Sequence, residues 1–138
     1  MNRRLRDIWH SYRSLPLWVQ LWVGLILMPV NLAGFFFLSY PAGQWIAVAT
    51  VLIVLTNGPI MWYYAGMNKA MSLPHLIIWI PLHVLLIAHL AGGFSPLPMS
   101  RPEFTLIMAV LTANTISLLF DVKDSWDWLR GDRATPGF

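Results

Sequence analysis

Cysteine is absent from the 138 residues. Its absence removes disulfides, thiolate metal sites, iron–sulfur clusters and quinone-linked thiol chemistry from the functions open to the chain. Charge is scarce as well. Asp, Glu, Lys and Arg make up 11% of the residues, whereas a soluble domain carries about 25% so that polar surface can cover its core. From Ser14 to Ser100 the only charged side chain is Lys69. A chain built in this way cannot give its apolar residues a solvated exterior of their own. The fold class that follows is an all-α membrane protein, with residues 1–138 forming a single integral membrane domain.

Catalytic hardware is missing too. The apolar runs contain no Asp pair, no H-E-x-x-H, no G-x-S-x-G and no glycine-rich phosphate loop, so an enzyme is not the expected reading. They also hold no carboxylate, and proton- or sodium-coupled transport generally draws on buried Asp or Glu. Asp121, Asp124, Asp127 and Asp132 fall on a tail expected to be solvated. The net charge of +3 is not a nucleic-acid footprint, because the basic residues cluster at the expected helix ends. No cleavable signal peptide is expected: the first apolar run starts near Leu17, is too long for a signal core, and no small-residue cleavage site follows it.

What the chain has in quantity is apolar length. Hydrophobic residues make up 57% of it, and about 20 in a row suffice to cross a bilayer core of ~30 Å. Four transmembrane helices are expected, at about 15–39, 44–65, 73–92 and 101–120. Ser14-Leu15-Pro16, Ser72-Leu73-Pro74 and Ser100-Arg101-Pro102-Glu103 supply starts, each a cap residue with proline in the first turn. Pro29 and Pro81 should kink the first and third spans, and Pro59 should free a carbonyl near Leu55 in the second. Gly92, Gly93, Pro96 and Pro98 should form the longest loop.

Orientation follows from counting. Arg3, Arg4, Arg6, Arg13, Lys69, Lys123, Arg130 and Arg133 share one side, and Arg101 stands alone on the other. Positive charge stays inside, so both termini are expected in the cytoplasm and the protein in a bacterial-type inner membrane. Residues 1–13 read as an interfacial amphipathic helix. The 121–138 tail reads as cytoplasmic, with a second short interfacial helix capped by Asp124 and stopped by Gly131, and loose last residues. Trp9, Trp126 and Trp128 are the expected contacts with a partner or the membrane surface.

Polar residues within the spans should form a core: Asn31, Asn57, Asn114, His83 and His89. Asn57 and Asn114 are expected to face each other or a shared cavity, since an unsatisfied amide in hydrocarbon costs several kcal/mol. No cofactor or metal is expected. His83, near mid-span, is the one candidate haem ligand, and no histidine at similar depth on a facing helix completes a haem site. Aligned at an offset of 58, Asn31 falls on His89 and the two S-L-P starts coincide, the pattern of a parallel duplication.

Val30-Asn31-Leu32-Ala33-Gly34-Phe35-Phe36 resembles the V-N-x-x-G-S-F run of small four-helix fluoride channels over those positions alone. Phe35 stands where their serine is. Those channels pair as antiparallel dual-topology dimers, and the eight-to-one charge asymmetry runs against that arrangement. The functional expectation is a non-enzymatic accessory or assembly subunit of a larger membrane complex, in contact with membrane lipids and an integral membrane partner or further copies of itself. The alternative is an oligomeric small-solute pore or facilitator lined by Asn31, Asn57, Asn114 and His83.

Overall fold

Proline and glycine set the boundaries of the helices. The computed structural model describes residues 2–94 and 98–138; Pro96, expected in the longest loop, lies outside them. Helix α1 spans Arg3–Ser14, and the Asn2 side chain caps it by accepting from the Arg4 backbone N–H at 3.1 Å. Leu15 is extended, as a residue before proline prefers. Helix α2 then runs Leu17–Phe36, α3 Pro41–Tyr64, α4 Ser72–Leu90 and α5 Arg101–Leu129. These last four are each long and apolar enough to cross a membrane. Every element among the described residues is helical.

α2 is not a uniform helix. Its middle, Trp22–Leu27, is π-helical, and the Met28 N–H reaches back five residues to the Val23 carbonyl. Pro29 follows at once. Widening the turn before a proline accommodates its ring without breaking the helix, which is a common origin of such segments. After Leu32 the helix tightens to 3-10 geometry over Ala33–Phe36 and stops there, three residues before the expected end. The corner with α3 is too tight for side chains. A Cβ on Gly43 would lie 1.9 Å from the Phe37 carbonyl oxygen, and one on Gly34 would lie 2.7 Å from Ile46 Cγ2.

α5 corrects a second expectation. It does not end near residue 120 but continues unbroken to Leu129, so there is no separate C-terminal interfacial helix and Asp124 is not a cap. No glycine or proline interrupts residues 103–130, and Lys123 bonds Asp127 at 2.6 Å one turn on, a spacing that supports a helix. Gly131, at φ 107°, is the stop that the sequence indicated.

Ile46, Leu86, Ile107 and Val110 are fully buried where α3, α4 and α5 meet. Leu25, Ile77 and Leu119 are each at least 70% exposed on the outside. Apolar side chains thus face both inward and outward, and inter-helix polar contacts add specificity to the packing.

The end that carries the termini is tied together. The Arg4 guanidinium donates to the Trp62 carbonyl at 2.6 Å, covering the C-terminus of α3. Ser11, fully buried, accepts from the Met67 N–H at 3.0 Å. Asn68 donates to the Arg133 carbonyl at 2.9 Å, and Lys69 bonds both Asp127 and Asp132, at 3.1 and 2.6 Å. The Phe138 ring meets His10 edge-on at 5.5 Å. The last residues, expected to be loose, are therefore held against α1 and the 66–72 connection.

Candidate functional site

α4 carries three histidines, at positions 75, 83 and 89. Spacings of eight and six residues turn a helix by about 80° and −120°, so all three project within an arc of roughly 120°. Asp121, Thr115 and Glu103 lie within a similar arc on α5, and the antiparallel register sets each opposite one histidine. The outcome is a polar ladder along the interface. Ser72 and Ser125 hydroxyls meet at 2.7 Å. His75 Nδ1 lies 3.1 Å from each carboxylate oxygen of Asp121. His83 Nε2 lies 3.0 Å from the Thr115 hydroxyl, and His89 Nε2 bonds Glu103 Oε1.

The His75 rung gathers three helices. An ionised carboxylate only accepts, so His75 donates through Nδ1–H to Asp121 and leaves Nε2 as an acceptor. Asn57 of α3 supplies the donor, its amide nitrogen 2.9 Å from Nε2. The Trp79 ring, one turn further along α4, stacks on the imidazole at 4.2 Å with planes 9° apart. Carboxylate, imidazole and amide thus form one continuous hydrogen-bonded chain, which fixes the histidine tautomer. Asn57 Oδ1 and the Trp79 indole nitrogen are buried without a partner among the described residues. The Asn57 amide nitrogen goes to the imidazole rather than to the carbonyl that Pro59 was expected to free near Leu55.

The His89 rung lies near the other end. His89 and Glu103 are both almost wholly buried, and the Nε2 proton is donated to the carboxylate. Nδ1 has no partner among the described residues and sits in a ring that packs edge-on to Trp45 at 5.3 Å. In the sequence Glu103 reads only as part of the Ser100–Glu103 helix start. Ser100 does cap the helix, accepting from the Glu103 N–H at 3.4 Å, but the Glu103 side chain turns to α4.

These two carboxylates overturn the expectation that the spans hold none. Both are buried and each is matched to a histidine, the arrangement expected of ionisable groups on helices long and apolar enough to cross a membrane.

The expected polar core is placed as follows. Asn31, Asn57, Asn114 and His89 are buried and His83 is half-buried. Asn31 and Asn114 exchange two amide hydrogen bonds, at 2.7 and 3.0 Å, between α2 and α5. Asn31 also donates to the Leu27 carbonyl at 2.9 Å, and its own carbonyl accepts from Thr50 of α3 at 3.1 Å. Asn57 and Asn114 are therefore not brought together, since each has another partner. Both ring nitrogens of His83 are engaged, one with the Trp79 carbonyl at 2.8 Å and the other with Thr115. The matches suggested by the offset of 58 do not recur as equivalent contacts: Asn31 bonds Asn114, whereas His89 bonds Glu103.

Trp9 and Trp126 are exposed at the terminal end, and Trp128 is half-covered by the Arg133 guanidinium, 4.5 Å above its ring. The Lys69 ammonium beside Asp132 holds that carboxyl below its ordinary value. His75 and Asp121 were missed as site residues because the sequence placed each at the end of a span, where side chains read as solvated; in the structure Asp121 lies well inside α5.

By fold and site, this is a helical protein with four helices long and apolar enough to cross a membrane, joined by buried polar pairs. No protein-family model, curated protein sequence or solved structure matches the chain.

Proposed function

We propose that the protein is a non-enzymatic accessory or assembly subunit of a larger membrane complex, multi-pass in a bacterial-type inner membrane with both termini cytoplasmic. The observation that carries this reading is the tied terminal end. α1, the 66–72 connection, the end of α5 and the last residues form one hydrogen-bonded platform. A surface ordered in advance loses little conformational entropy on docking, which favours binding. The platform also presents exposed Trp9 and Trp126, the residue type that most often anchors an interface. The eight-to-one distribution of basic residues supports the orientation.

The pore alternative draws less support. Asn31 and Asn114 satisfy each other, and both nitrogens of His83 bond within the chain, so these groups are not free to line a passage.

The test uses photo-crosslinking residues placed at Trp9 and at Trp126 in native membranes, together with purification in mild detergent. The reading expects both positions to trap the same protein, which also co-purifies at a fixed ratio. Crosslinks only between copies of this chain, from a lone homo-oligomer, would contradict it.

A further inference from the structure

At the end opposite the platform, α2 and α5 separate and leave a cleft of about 450 Å³. The cause is local. Beyond the Asn31–Asn114 pair, α2 tightens and turns away over Ala33–Phe36, and the facing residues Ala33 and Ala109 are too small to close the gap. Val30, Ala33 and Phe37 line one side; Pro102, Leu106 and Ala109 line the other. Thr105 also borders it, but its hydroxyl is spent on the Arg101 carbonyl of its own helix at 2.9 Å. The walls are therefore apolar, and among the described residues the one charged group at the cleft is the exposed Arg101. The acid nearest to it in sequence, Glu103, is turned away to His89.

We propose that this cleft holds one acyl chain of an anionic phospholipid, with the lipid phosphate paired to the Arg101 guanidinium. Length, volume and charge each favour that occupant. From Arg101 to Ala109 the helix rises about 12 Å, close to the ~15 Å hydrocarbon depth of one leaflet. A volume of about 450 Å³ falls in the range of small-ligand clefts, and so suits a single acyl chain. A guanidinium at the mouth of an apolar groove favours a phosphate whose lipid carries net negative charge, and it binds phosphate in a bidentate manner. The proposal rests on the membrane-spanning reading and is independent of docking on a larger complex.

The experiment uses the full chain reconstituted in phosphatidylcholine vesicles. These contain a trace of phosphatidylglycerol, or of phosphatidylcholine, bearing the same photoreactive acyl chain. Phosphatidylglycerol should label Thr105 and Ala109 over phosphatidylcholine by about fivefold, the factor a single basic residue contributes at an anionic surface. Arg101→Gln should bring the two lipids to near parity. Ala109→Trp should remove labelling from the cleft while the outward-facing Ile77 stays labelled.

Equal labelling by both lipids in the unmodified protein, or a preference that survives Arg101→Gln, overturns the proposal. So does a photo-crosslink from Thr105 to another protein in native membranes. Loss of labelling at Ile77 as well as in the cleft would overturn the membrane-spanning reading together with this one.

Discussion

Replacing Asn114 with leucine removes both bonds of the Asn31–Asn114 pair but leaves Asn31 only partly stranded. Its amide nitrogen still donates to the Leu27 carbonyl at 2.9 Å, and only Oδ1 loses its donor. Replacing Asn31 instead strands both the oxygen and the nitrogen of Asn114, which is fully buried. A buried polar atom left without a partner costs about 1–3 kcal/mol, and inter-helix hydrogen bonds in membrane proteins average ~0.6 and reach ~1.7. Asn114→Leu should therefore destabilise by about 1–2 kcal/mol, and Asn31→Leu by about 2–3. The double variant buries two apolar groups of similar size and should cost at least ~1 kcal/mol less than the sum of the two. Reversible unfolding in mixed micelles titrated with a denaturing detergent measures all three. The control is Asn57→Leu with Asn114→Leu, which share no hydrogen bond and should add to within about 0.5 kcal/mol. Additivity at Asn31 and Asn114, or coupling at Asn57 and Asn114, refutes the pairing.

Topology can be read with cysteines, since the chain has none of its own. Placed at the exposed Asn2 and Asp132, they should resist an impermeant thiol reagent in intact cells, while one at Pro98 should react; Ser11 and Ser125 are buried and would not report. The tail clasp should depend on acidity. Asp132 is held below its ordinary value of 3.8 by Lys69, so its contribution is complete above about that pH and is lost as the pH falls through the lowered value. Protection of residues 132–138 against hydrogen exchange, taken relative to the intrinsic rate, should fall there, and Lys69→Met should give the same loss of protection at neutral pH. Unchanged exchange in Lys69→Met would show that the tail is held by other contacts.

The four long helices were legible because length and apolar content alone define a span, and the serine–proline starts lie near their observed beginnings. The end of α5 was not. Asp121, Lys123 and Asp124 read as an exit into solvent, yet charges do not stop a helix, and the first breaking residue is Gly131. The π-helical stretch of α2 has no signature except the proline that follows it.

The site was legible residue by residue but not in its pairing. Asn31, Asn114 and His89 stand out in apolar surroundings, but their partners depend on helix register. Asn57 and Asn114 looked matched in depth, whereas hydrogen bonding goes to whichever group the packing delivers, here His75 and Asn31. The overlooked signal was the arc of three histidines on α4 facing Asp121, Thr115 and Glu103 on α5. Recognising it requires treating a carboxylate at a helix end as a possible partner rather than as surface.

The continuity of α5 and its register against α4 underlie the whole ladder, and one crosslink measures both. The Ser72 and Ser125 hydroxyls lie 2.7 Å apart, a separation that brings their β-carbons within reach of a disulfide after modest adjustment. In the otherwise cysteine-free chain, Ser72→Cys with Ser125→Cys should oxidise readily and nearly completely in the membrane-embedded protein, while Ser72→Cys with the outward-facing Val122→Cys should not. Failure of the first pair together with crosslinking of the second would mean that α5 turns or ends before Ser125, and the polar ladder would fall with it.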